Sequence, residues 1–223
     1  MDQTAGVDLR NAEELLSSTV LVQGKAGDQF YVEGEYHPYV YLVLQGFGQM
    51  SVSKGHNEVI LGFIGPQEML GSTGLHLIFS DPYDHVPPLS MNMNEEIRSQ
   101  LMGETPTHSA SALTEYLVAR FDTRQLAKLA EREVAWAQLI SSTTAVATAR
   151  FVQKLRRQMT LPPQARYELM LEEQPEVVAA VQQRHIAQYL GITPEGLSRI
   201  SSRLRKRASE VPEESEENEL LTG

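Results

Sequence analysis

Basic side chains are concentrated near the end of a chain whose net charge is −10 over 223 residues. Between Gln182 and Arg207, six cations stand against one acid, Glu195, so this stretch carries a charge of +5. The cations are Arg184, Arg199, Arg203, Arg205, Lys206 and Arg207. Because Lys and Arg side chains neutralise phosphates, the cluster predicts a nucleic-acid contact despite the negative total charge.

The same stretch contains the pattern of two short helices joined by a tight turn. It reads QRHIAQYLGITPEGLSRISS from Gln183 to Ser202. Ala187 is small enough for two helices to touch there, and Gly191 can adopt the positive φ of a turn. Apolar residues suited to a small shared core follow helical spacing: Ile186, Leu190, Ile192, Leu197 and Ile200. These features predict a helix-turn-helix, and an ordinary helical hairpin is the alternative.

The second helix of the pair has a strong start signal. Thr193 can cap the helix, Pro194 suits its first position, and Glu195 is an acid in its first turn. A spacing of four places Glu195 and Arg199 on one helix face, where an exposed ion pair is one interpretation. Base recognition is the other, since a guanidinium matches the two acceptors of guanine and a carboxylate accepts from the cytosine amino group.

The N-terminal half has the pattern of a β domain. Short apolar runs separated by glycines extend from about Ser18 to Phe63. The segment Tyr39–Leu44 predicts a buried strand, Gln49–Ser53 the next one, and Tyr116–Phe121 a last strand. Short strands with glycine turns predict an all-β sandwich or roll over residues 1–122. Residues 78–107 are rich in proline and methionine and predict a long inserted loop.

A long helical pattern follows the β domain. With Asp122 as N-cap, it continues to about Met159 without proline or glycine. Apolar or small residues recur at spacings of three and four: Val134, Ala137, Ile140, Thr144, Ala147, Phe151 and Leu155. Such a seam predicts a helix packed along a partner helix, and a helix lying on its own β domain is the alternative. Pro162 and Pro163 mark the boundary to the last domain, in which Arg166–Glu173 predicts a short helix.

Composition narrows the class of protein. A hydrophobic content of 41% and a charged content of 22% are typical of a globular protein, and we expect no secretion signal and no membrane span. The expected location is therefore the cytoplasm. Without cysteine, thiolate metal sites and cysteine-ligated clusters are excluded. Residues 209–223 are rich in glutamate and predict a disordered acidic tail.

The phrase IAQYLGITPEGLSRI resembles the signature of the Crp/Fnr family of bacterial transcription regulators. The glycine-punctuated segment KAGDQFYVEGEYHPYVYLVLQGFGQMSV resembles the family's β domain. The resemblance implies an α+β fold: an N-terminal double-stranded β-roll similar to a cyclic-nucleotide-binding domain, a dimerisation helix in residues 123–160, and a helix-turn-helix domain in 161–208. It further implies a homodimer that binds double-stranded DNA and works with RNA polymerase. No β-hairpin wing is expected after the recognition helix.

The resemblance also assigns DNA-binding residues. The recognition helix would start at Pro194, with Thr193 before it, and Glu195, Ser198 and Arg199 would reach base edges. Arg203, Arg205 and Lys206 are expected on phosphates, which position a protein without specifying sequence. The operator would be an inverted repeat whose half-site contains TGA, with Arg199 on the guanine.

The effector pocket departs from the family pattern. Cyclic-nucleotide binders carry Gly-Glu and Arg-Ser pairs, where this chain has Gly71-Ser72 and His108-Ser109. Both charged ligands are missing, so we expect an unknown small effector other than cyclic AMP. The histidines have neither HxH nor HxxxH spacing, and no metal or cofactor is expected: His37, His56, His76, His85, His108 and His185.

Two other classes of function are weighed against a regulator. A cupin-like enzyme would need clustered His and Glu ligands on adjacent strands, which the sequence does not offer, so we expect no enzyme. The second alternative is a ligand-binding or protein-interaction module with a vestigial helix-turn-helix. A DNA affinity that falls steeply with salt would distinguish a regulator from both.

Overall fold

The computed structural model describes residues 12–55, 57–71 and 106–210. The described N-terminal part forms two four-stranded antiparallel sheets, with strand orders β1-β8-β3-β6 and β2-β7-β4-β5. The strands are β1 (Val20–Gly24), β2 (Gln29–Tyr31), β3 (Tyr39–Gln45), β4 (Gly48–Lys54), β5 (Asn57–Ile64), β6 (Met69–Gly71), β7 (Ser109–Ala112) and β8 (Tyr116–Asp122). The β-roll expected from the sequence is confirmed.

Alternating side chains of the two sheets fill the space between them. Tyr41 and Val43 point inward from β3, and Val43 lies opposite the fully buried Val118 of β8. The core is completed by Phe30, Tyr31, Ile64, Leu70, Ala110 and Ala112. The expected inserted loop at 78–107 falls, apart from its last two residues, outside the described residues.

Gly46, in the turn between β3 and β4, is required by close packing. Its φ is +86°, and a Cβ at this position would lie 2.2 Å from the carbonyl oxygen of Glu115. Any other residue would therefore collide with backbone as well as strain its own conformation. The glycine lets β4 start directly beneath the loop before β8.

The helices follow in chain order. They are α1 (Ala12–Ser18), α2 (Thr123–Arg132), α3 (Val134–Thr160), α4 (Pro163–Glu173), α5 (Pro175–Ala180), α6 (Gln183–Leu190) and α7 (Pro194–Glu210). Asp122 caps α2 as predicted, since its carboxylate accepts a hydrogen bond from the Arg124 amide. Within the described parts of the chain, no helix is both long and apolar enough to cross a membrane.

The helix predicted to run unbroken to Met159 is in fact two helices. Glu133 takes an extended conformation, with φ −133° and ψ 111°, and separates α2 from α3. The break lets Leu129 of α2 and Trp136 of α3 pack into one apolar cluster with Leu15 and Val40. Packing on the β domain overrides local helix propensity here, so the expectation of one helix was wrong.

The predicted apolar seam of α3 is likewise divided. Ile140 is only 8% exposed and belongs to the cluster with Trp136, so the first half of the helix lies on its own β domain. The second half keeps its large apolar residues between 49% and 78% exposed: Val146, Phe151, Val152, Leu155 and Met159. The first half of α3 therefore fits the alternative interpretation of the seam, and a partner helix along the second half stays a prediction.

Candidate nucleic-acid interface and effector pocket

The last helices form a compact unit around the predicted turn. Ile186, Ala187 and Leu190 of α6 and Leu197 of α7 are at most 2% exposed. Gly191 ends α6 in the left-handed conformation, with φ +68°, and its amide donates to the carbonyls of Ala187 and Gln188. The small residue, the turn glycine and the apolar core thus lie where the sequence predicted them.

Thr193 fixes the start of α7. Its hydroxyl oxygen accepts a hydrogen bond from the Gly196 amide at 3.1 Å, which is the geometry of a helix N-cap. Hydrogen bonds from its own backbone amide, and then from the Thr193 hydroxyl, lower the pKa of Glu195, with a smaller effect from the charge of Arg199. Thr193 therefore caps α7, and Glu195 is an ionised acceptor in the first turn.

All the predicted DNA-contacting residues on α7 are exposed. Leu197 faces inward, with Ile200 and Leu204 packed against the same cluster, which leaves Glu195, Ser198 and Arg199 on the outer side. The Nη1 of Arg203 donates to Oε1 of Gln164 on α4 at 3.0 Å. The arrangement offers one acceptor and one guanidinium at the same end of an exposed helix.

The predicted effector residues Gly71 and His108 meet through a third residue, Tyr31. The Tyr31 hydroxyl lies 2.8 Å from Nε2 of His108 and also receives a hydrogen bond from the Gly71 backbone. Burial keeps the pKa of Tyr31 above its ordinary value and the pKa of His108 below its own. The contact therefore joins a protonated phenol and a neutral imidazole.

The other two predicted pocket residues do not join this contact. The Ser109 hydroxyl accepts from the Glu33 amide at 3.0 Å and so serves to hold the chain after β2. Ser72 lies outside the described residues. Neither observation supplies an anion-binding group beside His108.

An aromatic cluster beside His108 was not predicted from the sequence. His37 stacks on Tyr41 with ring centroids 5.6 Å apart, and the Arg120 guanidinium lies 4.5 Å from the centroid of Tyr39. Nε2 of His37 is buried and has no hydrogen-bond partner among the described residues, and burial, followed by the charge of Arg120, lowers the pKa of His37. Burial raises the pKa of Tyr41 to about 12. The alternating side chains of β3 could have indicated this cluster, because alternation places Tyr39 and Tyr41 on one face of the strand.

In the described part of the chain, no group of three or more His, Asp or Glu side chains is placed to hold a metal ion. The neighbours of His37 and His108 are tyrosines and an arginine. This is a polar, aromatic lining of neutral imidazoles and protonated phenols.

No protein-family model and no curated protein matches the sequence. Solved structures do match the fold. FixK2 from Bradyrhizobium japonicum aligns with a TM-score of 0.68 at 18% identity, covering 85% of this chain and 86% of that chain. A mutant of CooA from Carboxydothermus hydrogenoformans aligns with a TM-score of 0.61 at 11% identity, covering 86% and 78% of the two chains.

The c-di-GMP-responsive global regulator CLP from Xanthomonas campestris aligns with a TM-score of 0.58 at 16% identity, over 86% of this chain and 89% of that chain. These neighbours are Crp/Fnr regulators. The chain has the Crp/Fnr fold. The Crp/Fnr fold predicted from the α6–α7 motif is thereby confirmed, with its α+β architecture. In this chain the Crp/Fnr fold combines an exposed, capped α7 with a β-roll in which His108 contacts Tyr31.

Proposed function

We propose that the protein is a homodimeric transcription regulator of the cytoplasm that binds specific DNA sequences through α7 and works with RNA polymerase. The observation that carries the proposal is the exposed side of α7, on which Glu195, Ser198 and Arg199 stand in a segment of charge +5. Thr193 caps this helix, and a closed apolar core supports it. An enzyme has no comparable support in the described residues.

The proposed DNA complex follows from the shape of the unit. The N-terminal end of α7 enters the major groove, where the Arg199 guanidinium spans the two acceptors of guanine and Glu195 accepts from cytosine. Arg205 and Lys206, further along the helix, contact phosphates together with Arg203. A two-fold dimer then reads an inverted repeat whose half-sites, containing TGA, lie about one helical turn apart.

Selection of bound duplexes from random DNA tests the proposal directly. We expect an inverted repeat to be enriched, and the affinity of full-length protein for it to fall steeply as salt rises, because bound counterions are released. A scrambled duplex of equal length is the matched control. Enrichment of no repeat, together with equal weak binding to both duplexes, would refute the proposed function.

We propose that the exposed half of α3 forms the dimer contact. Its large apolar side chains lie along a helix whose other half is already packed on the β-roll. Burying such a surface is favourable by about 25 cal/mol per Å² of apolar area removed from water. A second copy of α3, related by a two-fold axis, provides the same apolar residues in return.

We further propose that the region around Gly71, His108 and Ser109, with Ser72, binds a small effector other than cyclic AMP. A buried phosphate needs a cation, and burial instead keeps His108 neutral. The aromatic cluster of His37, Tyr39 and Tyr41 lies beside His108 through their shared neighbour Tyr31. An aromatic ligand suits these rings, and the Arg120 guanidinium lies over Tyr39 beside them.

A further inference from the structure

The helix-turn-helix unit packs directly on the β-roll through the C-terminal half of α6. The rings of Phe63 on β5 and Tyr189 on α6 lie with centroids 5.0 Å apart. Beside them, the side-chain amide of Gln188 donates to the backbone carbonyl of Glu58. Phe47, Phe63 and Leu113 of the β-roll pack against the apolar cluster of the helical unit. The two parts of the chain thus share a contact that is aromatic and apolar.

Lys154 of α3 joins the same contact from a third direction. Its ammonium lies 4.0 Å from the centroid of the Tyr189 ring and donates to the carbonyls of Ile60 and Leu61 on β5. Ile60 is only 2% exposed. A cation over an aromatic face adds attraction that increases when water is excluded. One side chain therefore links the long helix, the β-roll and the first helix of the DNA-binding unit.

This contact leaves the proposed DNA-binding surface uncovered. Gln188 and Tyr189 are at the end of α6 that leads into the turn, whereas Glu195, Ser198 and Arg199 on α7 remain exposed. Beyond α3, only Leu161 and Pro162 connect the long helix to α4. A short link fixes distance but not angle, so a side contact is needed to hold the unit in one orientation.

We propose that Phe63, Lys154 and Tyr189 are positioning residues that fix the orientation of the helix-turn-helix unit on the β-roll. The inference rests on the proposed function, because orientation matters when two units must meet two half-sites together. With both units held at one angle, binding of the first half-site brings the second unit to its own at a high effective concentration. When the contact is loosened, the affinity for a single half-site is unchanged. The additional affinity that comes from binding the second half-site is reduced.

Binding of full-length variants to a complete inverted repeat and to a single half-site tests the inference. We expect Tyr189→Ala to lower affinity for the complete repeat on the order of tenfold and to leave half-site affinity within about twofold. The matched control is Tyr189→Phe, which keeps the ring and should retain both affinities. Equal losses on both duplexes, no loss on either, or a tighter complete-repeat complex would each overturn the inference.

A distance measurement tests the contact without DNA. The chain contains no cysteine, so Val59→Cys on β5 and Gln183→Cys on α6, both at exposed positions, give two defined sites for nitroxide labels. With labelled protein diluted into unlabelled protein, so that each proposed dimer carries one labelled subunit, we expect one narrow distance distribution, broadened by Tyr189→Ala and unchanged by Tyr189→Phe. A broad distribution in the otherwise unaltered protein would overturn the inference. If the distribution is narrow but the protein selects no operator, the proposed function is refuted and the inference about the contact is not.

Discussion

Arg199 lies on the exposed side of α7, one turn beyond the ionised Glu195. If Arg199 contacts guanine, Arg199→Ala should cost about 1 to 3 kcal/mol on the selected operator and relax the preference at that base pair. Arg205→Ala is the matched control, because it should weaken binding to all sequences alike and reduce the salt slope by about 1. Competition titrations against operators changed at single base pairs measure both. A uniform loss with Arg199→Ala would contradict base recognition.

Thr193 supports α7 through one hydrogen bond to the Gly196 amide. Loss of this cap in Thr193→Ala should lower the free energy of unfolding by about 1 kcal/mol, whereas Thr193→Ser keeps the hydroxyl and should lose much less. Denaturant unfolding followed by circular dichroism measures the difference. Equal stability of Thr193→Ala and the parent protein would contradict the capping role.

His108, which the family resemblance places at the position of the phosphate-binding arginine, is neutral and hydrogen-bonded to Tyr31. We therefore expect no micromolar binding of cyclic AMP by calorimetry, because a neutral His108 supplies no charge to hold the buried phosphate. Adenosine, which lacks the phosphate, is the matched ligand. A micromolar dissociation constant for cyclic AMP would contradict this account of the pocket.

Among individual residues, the sequence identified those whose partners are close along the chain. Ala187, Gly191 and Thr193 could be predicted because caps and turns depend on neighbours within a few positions. Tyr31 and His37 could not, since they come together with His108 only when distant segments fold into one β-roll. Spacing along the chain carries no signal for such contacts.

Among the helices, α3 has two environments along one continuous length. Its exposed second half predicts that Phe151→Glu converts a dimer to monomers while the subunit stays folded. The matched control is Gln153→Glu, which introduces the same residue at another exposed position of the same helix. Sedimentation equilibrium and unfolding curves measure both effects, and a parent protein that is monomeric at micromolar concentration would contradict the dimer.

The same helix shows what periodicity could and could not predict. Ile140 and Phe151 have equivalent places in the apolar pattern, yet Ile140 packs with Trp136 on the β-roll and Phe151 does not. Periodicity identifies a face, but the length over which that face meets each neighbour depends on the third dimension. The break at Glu133 could not be predicted either, because no proline or glycine lies there to indicate the end of a helix.

At the scale of the whole molecule, we expect the contact between β5 and α6 to depend on pH through Lys154. Burial lowers the pKa of Lys154 from 10.5 to about 8 in the packed arrangement. The packed form loses its proton first, so raising the pH from 7 to 9 should favour packing over an opened arrangement by about tenfold. His185, whose pKa burial lowers, and Tyr189, whose pKa burial raises, titrate outside this interval.

The nitroxide pair at positions 59 and 183 measures this pH dependence. The distance distribution should become narrower between pH 7 and pH 9, and Lys154→Met, which keeps a similar length without a titratable group, should remove the change. A distribution that broadens as the pH rises would contradict the sign of the coupling.

The core shared by the two parts of the chain limits their modularity. Pro162 and Pro163 divide the sequence, but Phe47, Phe63 and Leu113 from the β-roll complete the apolar cluster of the helical unit. A fragment starting at Pro163 would expose that side of the cluster to water and should aggregate more readily than the full chain. Grafting these helices onto an unrelated sensor would succeed only where the recipient presents an aromatic face in place of Phe63. Exchange of the β-roll of this chain for another domain is therefore constrained by a surface outside both the proposed effector region and the proposed DNA-binding side of α7.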